Sequence, residues 1–387
     1  MMVMVRKVMF MFLFAAVACA VYGSPAQEEA KKIKREYRSK DVLTAYDSFN
    51  GHLLDPERLV YYRDTDKPRE VGAIWTQAIY WDMAMNAYKR TKKGKYLDLV
   101  KDIYQGNKSY YADFDWDNGK VWFIYDDIMW WVISLARGYE ITGDKEYLEF
   151  AESGFERVWN GSAKVGDPGS YAGHLGGGMF WHWNQENPSE PKTERSGKMA
   201  CINYPTVIAA MTLYNITGNR DYLDKATEIY KWSAENLFDS ATGRVADSRH
   251  GSGRPDWTTT VYNQGTCIGA AMMMYNETKD NRYLNDAVLT ANHTRDVMSA
   301  PSGIMPYKRG EEQGIYTAIF AQYIIRLIED GKKTEYIPWL LQTVNSGWNN
   351  RDVKRNLTTK NYSVKCPEDR KISCYDASGI PALMLVL

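Results

Sequence analysis

Tyr139-Glu-Ile-Thr-Gly-Asp-Lys-Glu-Tyr-Leu148 decides the fold. An apolar run ends at Tyr139, Thr-Gly-Asp interrupts it, and a Tyr-Leu pair opens an amphipathic run. Glycine suits the left-handed residue that ends a helix, and Asp suits the cap of the next one. The pattern recurs as Tyr88-Lys-Arg-Thr-Lys-Lys-Gly-Lys-Tyr-Leu97, Tyr214-Asn-Ile-Thr-Gly-Asn-Arg-Asp-Tyr-Leu223 and Tyr275-Asn-Glu-Thr-Lys-Asp-Asn-Arg-Tyr-Leu284, and more loosely as Leu327-Ile-Glu-Asp-Gly-Lys-Lys-Thr-Glu-Tyr-Ile337. A repeat of this kind argues for one array rather than two domains.

In each unit the first helix is apolar almost all round, as in Trp75 to Tyr88, Asp127 to Tyr139, Cys201 to Tyr214, Gly265 to Tyr275 and Gly314 to Leu327. Such helices are buried on most sides. The second helices, such as Lys145 to Val158 and Asp221 to Leu237, carry charge on one face. Each unit therefore reads as an inner helix followed by an outer one. Tyr375 to Leu387 supplies a sixth inner helix, and the N-terminal helix, roughly Ala30 to Ser48, is its outer partner. The expected fold is all-α, an (α/α)6 toroid of six inner and six outer helices in one domain over residues 24–387. Inner-to-outer turns are short. The reverse connections are long and share the face at the N-terminal ends of the inner helices, where function is expected.

Residues 1–23 read as a signal peptide. Arg6 and Lys7 precede an apolar run from Val8 to Val21 that is too short for a membrane span. Cys19 permits a lipoprotein reading, but Ala16-Val17-Ala18 fits that box poorly, so simple secretion is expected. Lys and Arg total 48, as do Asp and Glu, with no basic stripe, so nucleic acid is not expected as a partner. Cys366 and Cys374 lie close together in a polar segment, where an oxidising compartment would favour a disulfide. Cys201 and Cys267 read as buried thiols. No Cys/His spacing suggests a metal, and no cofactor is expected.

The chemistry concentrates at Tyr125-Asp-Asp-Ile-Met-Trp-Trp131. An Asp near a helix start commonly caps it. Here a buried helix follows at once, and carboxylates seldom sit among rings unless paired or used. Two acids among aromatic platforms suit the cleavage of a glycosidic bond. The long loops add candidates for sugar binding. Trp181 and Trp183 stand in the Gly-rich stretch Gly176-Gly-Gly-Met-Phe-Trp-His-Trp183 as stacking platforms. This stretch lacks the strand-to-helix setting of a phosphate loop. Asn203, Tyr262, Asn263 and Gln264 open inner helices with hydrogen-bonding groups, and Asn50, Asp55, Trp75 and Gln77 lie near the first one.

The Asp-Asp signature, the Gly-rich stretch, Lys198-Met-Ala-Cys-Ile-Asn-Tyr204, Thr260-Val-Tyr-Asn-Gln-Gly265 and Gln313-Gly-Ile-Tyr316 together resemble glycoside hydrolase family 76, the endo-α-1,6-mannanases, over nearly the whole mature chain. The resemblance implies an (α/α)6 fold, Asp126 as nucleophile and Asp127 as general acid/base of a retaining mechanism. It also implies α-1,6-linked mannan or manno-oligosaccharide as substrate. The chain departs from the family at Gln313, where Lys is frequent. Consecutive helical residues place their Cβ atoms on the order of 5–6 Å apart, close to the carboxyl separation of about 5–5.5 Å in retaining enzymes. The enzyme is expected to act as a secreted monomer. A transglycosylase of the same family and a non-catalytic mannan-binding protein are the alternatives. The chain ends without a lipid-anchor signal, which favours hydrolysis, and both acids are present, which disfavours the binding protein. Other (α/α)6 enzymes, such as uronyl hydrolases and sugar epimerases, lack the adjacent pair.

Overall fold

The computed structural model describes residues 34–66, 70–183, 197–300, 302–310 and 312–387. The expected signal peptide and the first residues assigned to the N-terminal helix lie outside them. Among the described residues twelve α-helices follow in order: α1 Ser39–Leu53, α2 Ile74–Thr91, α3 Gly94–Tyr110, α4 Tyr125–Thr142, α5 Lys145–Asn160, α6 Ala200–Thr217, α7 Arg220–Asn236, α8 Val261–Thr278, α9 Asn281–Asn292, α10 Gln313–Glu329, α11 Ile337–Asn349 and α12 Cys374–Val386. Each even-numbered helix packs on the next, and α12 packs back on α2 to close an inner ring. The odd-numbered helices lie outside, with α1 against α12. This is the (α/α)6 toroid. The N-terminal helix begins later than expected because Arg38 and Asp41 form a reciprocal cap around its start.

The repeated turns follow from their residues. Gly143 and Gly218 take the left-handed conformation at φ 72° and 70°, while Lys92 and Lys279 adopt it at 56° and 58° without glycine. Asp144, Asn219 and Asp280 then cap the outer helices, each accepting a backbone N–H two residues on. The long loops gather at the other end. There β1 Gly197–Met199 pairs antiparallel with β4 Ser248–His250, and β2 Phe238–Asp239 with β3 Arg244–Val245.

The interior of the ring is apolar, with a polar plug toward the short-turn end. There Arg137 pairs with buried Asp82 at 2.6 Å and donates to Asn86 Oδ1 at 3.1 Å. No disulfide joins Cys366 and Cys374; both are buried free thiols. Cys374 opens α12 with its Sγ turned inward to Gly72 and Tyr80. Cys366 is held elsewhere, its N–H donating to Asn350 O at 2.7 Å and its Sγ lying 3.5 Å from Pro367 O. No helix among the described residues is long and apolar enough to cross a membrane.

Helices α10 and α12 meet at their backbones. A Cβ on Gly314 would stand 2.1 Å from Tyr375 O and 2.6 Å from Asp376 Cα. Gly314→Ala must push these helices apart, a change that costs about 1–3 kcal/mol. The variant is expected to melt several degrees below the parent by circular dichroism, and an unchanged melting temperature would show that the contact has slack.

Candidate active site

Helix α4 begins at Tyr125 and its cap position is Ile124, so Asp126 and Asp127 occupy the first turn and neither caps it. The Gly-rich loop zips onto the chain entering this helix. The Tyr125 N–H donates to Trp181 O at 3.0 Å, the Trp183 N–H donates to Phe123 O at 3.1 Å, and Ile124 bridges His182. The Tyr125 hydroxyl donates to buried Asp167. Asp167 in turn pairs with Arg157 at 2.6 Å, and Arg157 pairs with Asp117 at 2.8 Å. This buried network fixes Tyr125, and through it the direction of the two acids that follow.

The acids meet unequal surroundings. Asp126 is 8% exposed. Loss of water pushes its carboxyl up to about 7, opposed by the Cys201 thiol and the indoles of Trp181 and Trp130, which face it. These groups leave Oδ1 without a hydrogen-bond partner. Asp127 is half-buried beside it and is pushed well above the carboxylate range, first by desolvation and then by the charge of Asp126. Two close carboxyls in such a place do not ionise together. The first charge belongs on Asp126, where three weak donors and the positive end of α4 favour it. Asp127, with no such donors, keeps the proton.

Around the pair the N-terminal ends of the inner helices form a bowl walled with half-buried rings. Trp75 stacks on Tyr375 with centroids 6.5 Å apart and tilts against Trp130 at 6.3 Å. Tyr262 and Tyr316 lie 4.5 Å apart on the opposite wall. The Tyr262 hydroxyl feels the charges of Asp126 and Asp247. Asp247 is a third half-buried acid beside Cys201, its carboxyl raised by desolvation and by Asp256. Lys360 stands 3.7 Å from Asp376 on the rim near Glu312. Among the described residues no group of three His, Cys, Asp or Glu side chains is placed to hold a metal ion.

The structure thus brings together Asp126, Asp127, Trp75, Trp181 and Tyr262. It sends the other candidates into the frame. Trp183 is 2% exposed, donates its indole N–H to Trp122 O at 2.8 Å and carries Arg157 over its ring at 4.9 Å. It is loop core and offers no face to a sugar. Asn203 accepts the Met179 N–H and donates to Met179 O and Met199 O. Gln264 serves Val245 N–H, Gly243 O and Thr290 O. Gln77 serves Tyr61 in the same way, Asn50 accepts the Tyr61 hydroxyl, and Asp55 pairs with Arg58. Buried loop amides and carbonyls need partners, and these planar side chains supply them. Asn263 is also fully buried, but among the described residues neither Oδ1 nor Nδ2 of its amide has a hydrogen-bond partner. Cys201, Trp130, Tyr375 and Asp247 were not singled out from the sequence as members of the site; only their placement against the acids reveals them.

The model of glycosyl hydrolase family 76 matches residues 34–374. The α-1,6-mannanase GH76A of Salegentibacter sp. HEL1_6 has a similar structure, with a TM-score of 0.77 and 22% identity over 90% of this chain and 98% of that one. An inactive variant of that enzyme, with two neighbouring aspartates changed to asparagine, is known in complex with α-1,6-mannotriose; its TM-score is 0.77 at 21% identity with the same coverage. Cellobiose 2-epimerase from Bacillus thermoamylovorans shares the fold at a TM-score of 0.65 and 13% identity, over 90% of this chain and 97% of that one. The toroid alone therefore does not select a reaction. A comparison with curated protein sequences yields no match.

Two outcomes test this geometry. Trp183→Ala should cost about 3–5 kcal/mol of stability as a core truncation, whereas Trp181→Ala should lower activity with little change in melting temperature; the reverse pattern would refute the placement of both rings. The second concerns Asp126, whose folded-state pKa of about 7 lies above its ordinary 3.8. Below pH 3.8 both folded and unfolded chains are protonated there. As pH rises to about 7 the unfolded chain ionises first, so the carboxyl takes stability away, and above that the full cost remains. Asp126→Asn should therefore melt higher than the parent at pH 8, with the gap closing towards pH 4. A variant that melts lower at pH 8 would show that Asp126 is held by bonds outweighing its burial.

Proposed function

The chain belongs to glycosyl hydrolase family 76, and on that footing we propose that it is a secreted, monomeric, retaining endo-α-1,6-mannanase. The observation that carries the reading is the pair itself. Asp126 is disposed to hold a charge and Asp127 to hold a proton, side by side at the floor of an aromatic bowl. The α-1,6-linked mannotriose known in complex with the Salegentibacter enzyme supports the choice of substrate.

In the first step the Asp126 carboxylate attacks the anomeric carbon while Asp127 gives its proton to the glycosidic oxygen. The bond to the departing sugar breaks, and an ester joins the remaining sugar to Asp126. Asp127, now ionised, takes a proton from a water whose oxygen attacks the same carbon and frees Asp126. Two inversions leave the anomeric configuration unchanged. The rings of Trp75, Tyr375, Tyr262 and Tyr316 offer apolar faces to the sugars on either side.

Digestion of α-1,6-mannan followed by NMR should show oligosaccharides whose new ends are α at first; β ends appearing first would overturn the two-step mechanism. Asp126→Asn should be inactive on every substrate. Asp127→Asn should lose about 10²–10⁴-fold on mannan, yet recover on an aryl mannoside whose leaving group needs no proton. Recovery by Asp126→Asn instead would exchange the two roles.

A further inference from the structure

Two outer helices end on the working face with tyrosines beyond them. Helix α3 stops at Tyr110, whose ring is 45% exposed. The turn after α1, Asp55-Pro-Glu-Arg-Leu59, leads to half-buried Tyr62. Arg58 joins the two rings, its guanidinium carbon lying 5.6 Å from the centre of Tyr62 and 5.8 Å from that of Tyr110. Asp55 fixes this brace: it accepts the Glu57 and Arg58 N–H groups and pairs with Arg58 Nε at 2.5 Å. The turn presses so closely on α3 that a Cβ on Gly106 would stand 2.4 Å from Arg58 O. The rings thus sit on a rigid base. They are also tied to the bowl. Tyr111 turns inward, 8% exposed, with its ring edge-on to Tyr110 at 4.9 Å. Its hydroxyl donates to Gly72 O at 3.4 Å, and the next N–H along, that of Ala73, donates at 3.1 Å to the hydroxyl of Tyr375 in the bowl wall. Ala112, Asp113 and Phe114 follow in the left-handed conformation at φ 56°, 52° and 55°, which residues other than glycine rarely adopt. Phe114 locks that turn among the rings of Trp116, Trp122 and Trp131.

We propose that Tyr110 is a stacking platform for a remote sugar of the departing segment, so that the enzyme grips a long chain beyond the bond it cuts. The proposal rests on the mannanase reading. A tyrosine offers a rigid apolar face with a polar tip, which suits the C–H face and hydroxyls of a pyranose. The contacts above hold the Tyr110 ring at most roughly 17 Å from the Tyr375 hydroxyl. That is the length of a few sugars, so a polysaccharide leaving the bowl across this rim passes over the ring. The Arg58 charge is balanced by Asp55, and a balanced surface suits a neutral sugar. The side of the bowl follows from the acids. The Tyr111 hydroxyl, between platform and bowl, feels the charge of Asp127. Asp127 gives its proton to the glycosidic oxygen, so the departing sugar lies on its side and the platform lies further out in the same direction. Tyr110 touches no reacting atom; it acts on which chains are bound and where they are cut.

Kinetics on linear α-1,6-linked manno-oligosaccharides of increasing length test the platform. Tyr110→Ala should raise KM on long chains and on mannan about three- to tenfold, the worth of one aromatic contact, with kcat nearly unchanged. The loss should fade on oligosaccharides too short to leave the bowl. Tyr110→Phe keeps the ring and should behave as the parent does, and neither variant should melt earlier, because the side chain is exposed. On a long oligosaccharide labelled at its reducing end, Tyr110→Ala should release shorter labelled fragments than the parent, since the label lies on the departing segment. Labelled fragments that lengthen instead would put the platform on the other side and overturn the assignment. Equal KM values for parent and Tyr110→Ala at every length, in a parent that cleaves mannan, overturn the platform and leave the mannanase reading intact. A loss of the same size at every length also overturns it, since Tyr110 would then act through the frame of the bowl. A parent inert at every length refutes the mannanase reading and the platform with it.

Discussion

All six inner helices point the same way, and the rest of the molecule answers to that constraint. Parallel neighbours in a closed ring need a return path each time, which the outer helices supply. The parallel arrangement also gathers six helix N-termini at one end, with their unpaired N–H groups and positive dipole ends, and six C-termini at the other. Charge is distributed to match. Asp126, Asp127, Asp247, Glu312 and Asp376 stand at or near the N-terminal end. Lys89, Arg137 and Arg326 crowd together at the other, close enough that each of Lys89 and Arg326 feels the charge of Arg137. At that other end the buried carboxylate of Asp82 is held instead by its pairing with Arg137 at 2.6 Å.

Holding that carboxylate also depends on parts that never touch a sugar. Tyr125, Asp167, Arg157 and Asp117 form a buried chain behind the acids. Breaking one member would strand the others' charges in the interior, which is costly. The Gly-rich loop joins the same arrangement. Gly177 and Gly178 take left-handed conformations at φ 80° and 77° and pass so close to Trp232 that a side chain would collide with it. The loop reaches the start of α4 along this path and delivers Trp181 to Asp126.

The ring was legible in the sequence because its signals are periodic. Repeated turns, apolar first helices and charged second helices each state the same plan several times over. The Asp pair was legible because charge among rings is rare. The walls of the bowl were harder to read. Trp181 and Trp183 lie two residues apart in a loop with no period to separate them, and which one reaches the acids depends on how the loop meets residues 123–125. Asn203, Gln264 and Gln77 look like sugar ligands because they sit at the right ends of the right helices. They serve loop backbones instead, a demand that exists only once the loops are folded. Cys201 and Asp247 show the opposite case, ordinary residues made part of the site by what stands opposite.

Ring closure has a consequence for biosynthesis. Trp75, on the first inner helix, stacks on Tyr375, on the last, and Arg35 donates to Leu387 O at 3.1 Å across a separation of 352 residues. These contacts join the first inner helix and the residues before it to the last inner helix. A nascent chain can pair helices as they emerge, but the seam waits for the twelfth. Closing so long a loop is slow compared with the local pairings that precede it. Until then the growing chain exposes an open apolar edge and half a bowl. A shortened product would therefore be inert, and its unsealed edge would mark it for aggregation or removal.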